Sequence, residues 1–176
     1  MHPSSMENMK RAKDLLGNRI EEGIEILDVG GRALVKDRER SYRVLWEDKA
    51  KEYYVADLLD GHNVTHPMPG PYELPFPNEA VDLIVSGQTL EHVKNPFRLV
   101  AEMNRVLKTG GFMILIAPSQ GKYHDSIDCW RFMDDAFRAV AEDVGNLSVV
   151  ADWVDRSAPD ERSARWADHV FVGERV

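Results

Sequence analysis

In "NPFRLVAEMNRVLKTGGFMILIAPS", Asn95 to Ser119, two kinds of apolar pattern meet. Asn95 can cap a helix and Pro96 suits its first turn. Leu99, Met103, Val106 and Leu107 then fall on one stripe, which predicts a helix over Pro96–Lys108 that Gly110 and Gly111 end. The run Phe112–Ala117, FMILIA, follows at once without polar alternation. A strand of that kind is buried on both faces, which implies a mostly parallel sheet covered by helices.

Working outward, Glu25–Val29, Glu52–Leu58 and Val81–Ser86 are further short apolar strands, spaced so that crossovers fit between them. Met6, Met9, Ala12, Lys13 and Leu16 share a helical face, which makes residues 1–20 a leading helix with Gly17 as its stop. A second clear helix is expected over Asp134–Val144, with Phe137, Val140, Ala141 and Val144 inward and Gly145 at its end. Leu147–Val154 and His169–Glu174 are expected as a closing antiparallel pair, because the polar stretch between them is too short for a crossover helix. Between Asp60 and Asn78, Pro67, Pro69, Pro71, Pro75 and Pro77 leave room only for a very short strand near Asn63–His66, lying along one edge of the sheet.

The chain has 176 residues, 43% hydrophobic and 30% charged, with a net charge of -8, which suits one domain with a sizeable core over 1–176. That charge opposes a general role on nucleic acid or an anionic membrane, both of which require clustered Lys and Arg. No apolar run is long enough to span a bilayer and the N-terminus carries no secretory pattern, so a soluble cytoplasmic protein is expected. Cys129 is the only cysteine, which excludes an internal disulfide and thiol-rich zinc sites. His62, His66 and His124 do not share an element at ligand spacing, so no metal is expected. The sequence leaves the oligomeric state open.

Ligands of an open parallel sheet bind beyond the carboxyl ends of its strands, which singles out GGRALVKD, LLDG, SGQTLEHV and PSQGKYHDSIDCWRF. The first of these fails the dinucleotide pattern: counting from Gly30, glycine is absent at Arg32 and Val35. Asp28, just before Gly30 and Gly31, repels a pyrophosphate but accepts a cationic ligand end such as an ammonium, or else satisfies amides of its own turn. That disfavours a nicotinamide oxidoreductase. Asp57 is placed to take two ribose hydroxyls, or else to cap a turn. His92, and His124, Asp125 and Asp128 in the later loop, are candidate bases, against a capping role for the first and a solvated loop for the rest. Cys129 is expected to be packed rather than nucleophilic, and Trp130 and Phe132 to be core or pocket wall. Arg38, Arg40 and Arg43 form either a solvated helix face or, less simply, a site for an anionic acceptor.

DVGG after a strand, the acid of VADLL, and "ELPFPNEAVDLIVSGQTLEHVKNPFRLVAEMNRVLKTGGFMILIAPS" together resemble class I S-adenosylmethionine-dependent methyltransferases of the type 11 kind, over about Glu25–Asp152. "YHDSIDCWRF" is similar, more weakly, to a segment of a bacterial subgroup. The resemblance implies a Rossmann-like α/β fold: a seven-stranded, mostly parallel sheet with an antiparallel last strand and helices on both faces. It implies S-adenosylmethionine as cofactor and methyl transfer to a small-molecule acceptor, with His92, His124 and Asp128 as catalytic candidates. Asp28, Gly30 and Gly31 would line the methionine end, Asp57 would hold the ribose, Leu74 would flank the adenine, and Ser86, Gly87 and Gln88 would border the methionine and sulfonium region, with Arg32 and Leu58 also among the cofactor-binding positions. Two positions depart from the family pattern: Arg32 stands where it has glycine, and Gly70, followed by Pro71, falls where it has the acid for the adenine amino group. A methyltransferase-fold scaffold with weak or lost cofactor binding is the alternative these departures raise.

Overall fold

The computed structural model describes residues 3–33, 41–157 and 166–176. Arg38 and Arg40, together with most of the polar stretch between the closing strands, lie outside them.

Helix α1 (Pro3–Leu16) leads into β1 (Ile24–Val29), the four-residue helix α2 (Arg43–Trp46), β2 (Ala50–Asp57), the two-residue β3 (His66–Pro67) and β4 (Val81–Gly87). Then come α3 (Pro96–Val106), β5 (Leu107–Gln120), α4 (Ala136–Val144), β6 (Leu147–Asp155) and β7 (Ala167–Arg175). The seven strands form one sheet in the order β3-β2-β1-β4-β5-β7-β6. Every pairing from β3 to β5 is parallel, and β7 runs antiparallel to both of its neighbours. The expected fold class is the observed one, including the reversed closing strand and the short edge strand among the prolines.

The unbroken apolar run of β5 serves two layers. Met113, Leu115 and Ala117 enter one cluster with Leu99, Met103, Phe137 and Val140 of α3 and α4. Phe112, Ile114 and Ile116 enter the other, with Met9, Leu16 and Trp46 of α1 and α2. A strand that feeds two cores has no face left for polar residues, and the sequence pattern follows from that.

Several boundaries differ from expectation: β5 and β7 run longer, the edge strand sits at His66–Pro67 and α4 starts at Ala136, and two further shifts, in α3 and β2, have a visible cause. Helix α3 stops at Val106 rather than Lys108, because Leu107 turns extended (ψ 135°) and already pairs with Val81. Strand β2 begins at Ala50 and ends at Asp57, which leaves Leu58 outside the sheet and half-exposed.

The proline-rich segment has no strand partner over 74–78 among the described residues and takes its hydrogen bonds from α3 instead. Leu74 N–H donates to Glu102 Oε1 (2.9 Å), and Arg105 donates to the Phe76 carbonyl (2.9 Å) and Asn78 Oδ1 (2.8 Å). Glu102 and Arg105 are also ion-paired at 2.8 Å. Buried backbone groups that no ladder satisfies are paired this way in most folded proteins.

Candidate active site

The carboxyl ends of β1, β2, β4 and β5 converge on one edge of the sheet, and most of the singled-out polar residues gather there. Asp28, near the end of β1, is 1% exposed. Its Oδ2 accepts from the Tyr53 hydroxyl at 2.9 Å, and its Oδ1 is buried without a partner among the described residues. Burial pushes the carboxyl up to about 7, the Tyr53 hydrogen bond pulls it down, and the charge of Asp57 adds to the rise.

The two glycines are held by steric need. Gly30 has φ +78°, and a Cβ there would meet Thr89 Oγ1 at 2.2 Å. A Cβ on Gly31 would meet the Asp28 carboxylate at 2.3 Å, so the main chain rides directly over the acid. Asn63, from the segment after β2, clamps this turn: its Oδ1 accepts from Ala33 N–H and its Nδ2 donates to the Gly31 carbonyl, both at 2.7 Å.

Arg32 stands where a third glycine would, and its side chain swings towards Asp57. Its Nε lies 3.7 Å from Asp57 Oδ1, and its aliphatic stem fills the space a Cβ on Gly61 would need, with Cγ at 2.5 Å. Asp57 also accepts from Leu59 N–H at 2.9 Å. The acid expected to hold a ribose is therefore engaged by the turn and faced by a guanidinium.

At the end of β4, Ser86 donates to the Val29 carbonyl at 2.8 Å, tying β4 to the glycine turn. A Cβ on Gly87 would lie 1.9 Å from the Tyr42 hydroxyl, which is itself 2.5 Å from Ser5 Oγ on α1. Gln88 holds the left-handed φ of +58°, uncommon for a residue with a side chain. Its N–H donates to the Ile116 carbonyl (2.8 Å) and its Nε2 to Asp168 Oδ1 (3.0 Å). Leu74 is buried in the α3-side core rather than lining an open wall. A Cβ on Gly70 would lie 3.7 Å from the Glu73 carboxyl carbon, so an acid does border that glycine.

His92 and His124, from the segments that follow β4 and β5, meet with ring centroids 5.0 Å apart. His92 belongs to the short 3-10 turn Leu90–His92 and its Nδ1 contacts the Ile127 carbonyl at 2.5 Å. His124 Nδ1 lies 3.0 Å from Asp128 Oδ2, and Arg131 grips the same carboxylate at 2.5 and 2.8 Å. The Arg131 fork holds the Asp128 carboxyl far below the usual range, so at neutral pH this group orients His124 and does not take up a proton. Asp125 is exposed and accepts from Ser126 N–H. Cys129 is exposed, its N–H bonded to the Glu91 carbonyl at 2.7 Å, and is not packed as expected. Trp130 is 40% exposed, while Phe132 is core.

Tyr42, Tyr53, Asn63, Glu91 and Arg131 are not singled out by the sequence. Arg131 has a local signal there, its i,i+3 spacing from Asp128, and Glu91 another, an acid set between Leu90 and Val93. The rest act through contacts between distant segments. Glu91 is wholly buried. Burial pushes its carboxyl up to about 7, with its own backbone amide and His92 pulling the other way.

A family profile described as a methyltransferase domain matches residues 48–115. Demethylmenaquinone methyltransferase of Lysinibacillus sphaericus is 27% identical over 138 residues, 75% of this chain and 54% of that protein. An uncharacterized methyltransferase of Mycobacterium avium is 31% identical over 98 residues, 53% of this chain and 39% of its own length. The chain thus spans about half the length, or less, of these curated relatives. Among solved structures, the YcgJ protein of Bacillus subtilis superposes with a TM-score of 0.71 at 12% identity, covering 99% of both chains. A SAM-dependent methyltransferase from Aquifex aeolicus does so with 0.61 at 17%, again over 99% of both. The strand order, the glycine turn and the matched segment agree: the chain has the Rossmann-like methyltransferase fold and is similar, over residues 48–115, to the methyltransferase domain family.

Proposed function

We propose that the chain binds S-adenosylmethionine at the carboxyl edge of β1, β2 and β4 and transfers its methyl group to a small-molecule acceptor. The observation that carries this reading is Asp28: a buried carboxylate with one orphaned oxygen under a glycine turn suits the ammonium of an amino-acid end. Ionisation of a carboxyl raised to about 7 would accompany docking of that cation.

The residues fit the cofactor at its methionine end, where Gly31 rides over Asp28 and Ser86, at the end of β4, is tied to the Val29 carbonyl beside the glycine turn. At the ribose end, Asp57 is the partner and Arg32 must turn away from it. Their 3.7 Å separation is that of a loose, partly solvated ion pair, worth about 0–1 kcal/mol, so the rearrangement costs little against cofactor binding. When bound, the cofactor supplies an electrophilic methyl on a sulfonium. This chain's residues would orient it and hold the acceptor in line, with His92 or His124 taking a proton from an acceptor that carries one.

Calorimetry with S-adenosylhomocysteine tests the reading. Binding by the folded chain is expected, up to about fivefold tighter in Arg32→Gly, a gain of at most about 1 kcal/mol. No heat at millimolar ligand in either protein would overturn it. The Arg32–Asp57 contact also favours a second reading, a methyltransferase-fold scaffold whose ribose acid is used internally. In that case neither protein binds, and Asp57→Ala leaves every activity unchanged.

A further inference from the structure

Glu91, His92 and His124 each present a ligand atom, and these atoms all lie within 4.8 Å of one another. Glu91 comes from a turn after β4 and His124 from the loop after β5, so the fold assembles a group that has no motif in sequence. Three features distinguish the group from a chance cluster. Both Glu91 oxygens are buried and neither has a hydrogen-bond partner among the described residues, although the side chain is 0% exposed. His92 points Nε2 at Glu91 Oε1 (3.7 Å) while Nδ1 contacts the Ile127 carbonyl. His124 has its Nδ1 on the Asp128 carboxylate, which Arg131 fixes in turn. An imidazole whose Nδ1–H is held by a carbonyl or a carboxylate leaves Nε2 as a lone-pair donor, the usual outer arrangement around metal-bound histidines.

We propose that Glu91, His92 and His124 form a binding site for a divalent transition-metal ion, with two imidazoles and one carboxylate as ligands. Such a set suits zinc or a similar ion and keeps coordination positions open for an outside oxygen ligand. The histidine side chains are 29% and 30% exposed, so those positions face solvent. Metal–ligand distances of about 2.0–2.2 Å place ligand atoms roughly 3–4 Å apart, which side-chain rotation reaches from the spacing seen here. The ion would give a direct partner to the Glu91 oxygens, which have no hydrogen bond among the described residues. Against the sequence expectation of no metal, His124 finds its partners across the fold rather than along its own element.

The site requires no bound nucleoside, so its test is independent of the calorimetry above. Chelator-treated full-length protein is dialysed against zinc chloride, and bound zinc is counted per chain. About one zinc per chain is expected. Glu91→Gln and His124→Ala should each weaken binding by more than about 100-fold, and Asp128→Asn, an outer partner, by about 10-fold. Cys129→Ser should leave the affinity unchanged, which separates this site from capture by the exposed thiol. Circular dichroism checks the fold of each variant, and His124→Ala, in an exposed loop, keeps the test open if Glu91→Gln does not fold. Absence of stoichiometric zinc, or binding that withstands the ligand substitutions, overturns the proposal.

Discussion

Asp28 shows at the scale of a single residue how burial turns an acid into a pH-sensitive element. Its carboxyl rises from an ordinary 3.8 to about 7 because it is fully desolvated and only one of its oxygens is hydrogen-bonded among the described residues. Between about pH 4 and 7 the folded chain holds a proton that the unfolded chain has released. Stability from this group is therefore full below the lower value, falls as pH rises through the window, and levels off above it. Asp28→Asn should raise stability at pH 8 by about 1–3 kcal/mol and leave it nearly unchanged at pH 4, measured by urea unfolding at both. Glu91 shifts in the same direction, so a smaller slope should persist in the variant. The placement of Asp28 and Asp57 at strand ends was legible in the sequence, since a parallel sheet delivers the residues after its strands to one edge. The Arg32–Asp57 and Asn63–Gly31 contacts were not, because two loops from different crossovers make them and no local periodicity encodes that meeting.

Among the elements, α3 is the one whose two faces do separate jobs. Its apolar stripe packs on the sheet, and its Glu102–Arg105 pair holds the proline-rich segment that carries Leu74. Proline removes donors and blocks a ladder, so that segment depends on side chains for its remaining hydrogen bonds. Glu102→Ala strips the acceptor from Leu74 N–H and the ion partner from Arg105 together. A loss of about 1–3 kcal/mol is expected by thermal or urea unfolding, with faster hydrogen exchange concentrated in residues 72–78. The helix stripe and the FMILIA strand were readable because their periods differ sharply. The end of α3 was misplaced by two residues because Leu107 suits a helix as well as a strand, and its pairing with Val81 decides the matter.

For the whole molecule, the reversed strand is the organising feature. Strand β7 lies between β5 and β6 and is the only sheet neighbour of β6 among the described residues. It carries Val170, Phe171 and Val172 into the two cores, and the buried His169 bonds to Asp152 of β6 at 2.5 Å. A chain cut after Asp155 should lose cooperative unfolding and expose the edge of β5, which is read as dye binding with collapse of the near-ultraviolet dichroism. A sheet of this class and its closing reversal were foreseeable from strand spacing and a short connection. The insertion of β7 inside β6 was not, since order within a sheet leaves no mark on the order along the chain. On the ribosome that order becomes a matter of timing: β6 emerges before the strand it must pair with, and for as long as residues 167–175 are still to be made, both β5 and β6 present open edges to whatever nascent or chaperone surface lies nearby.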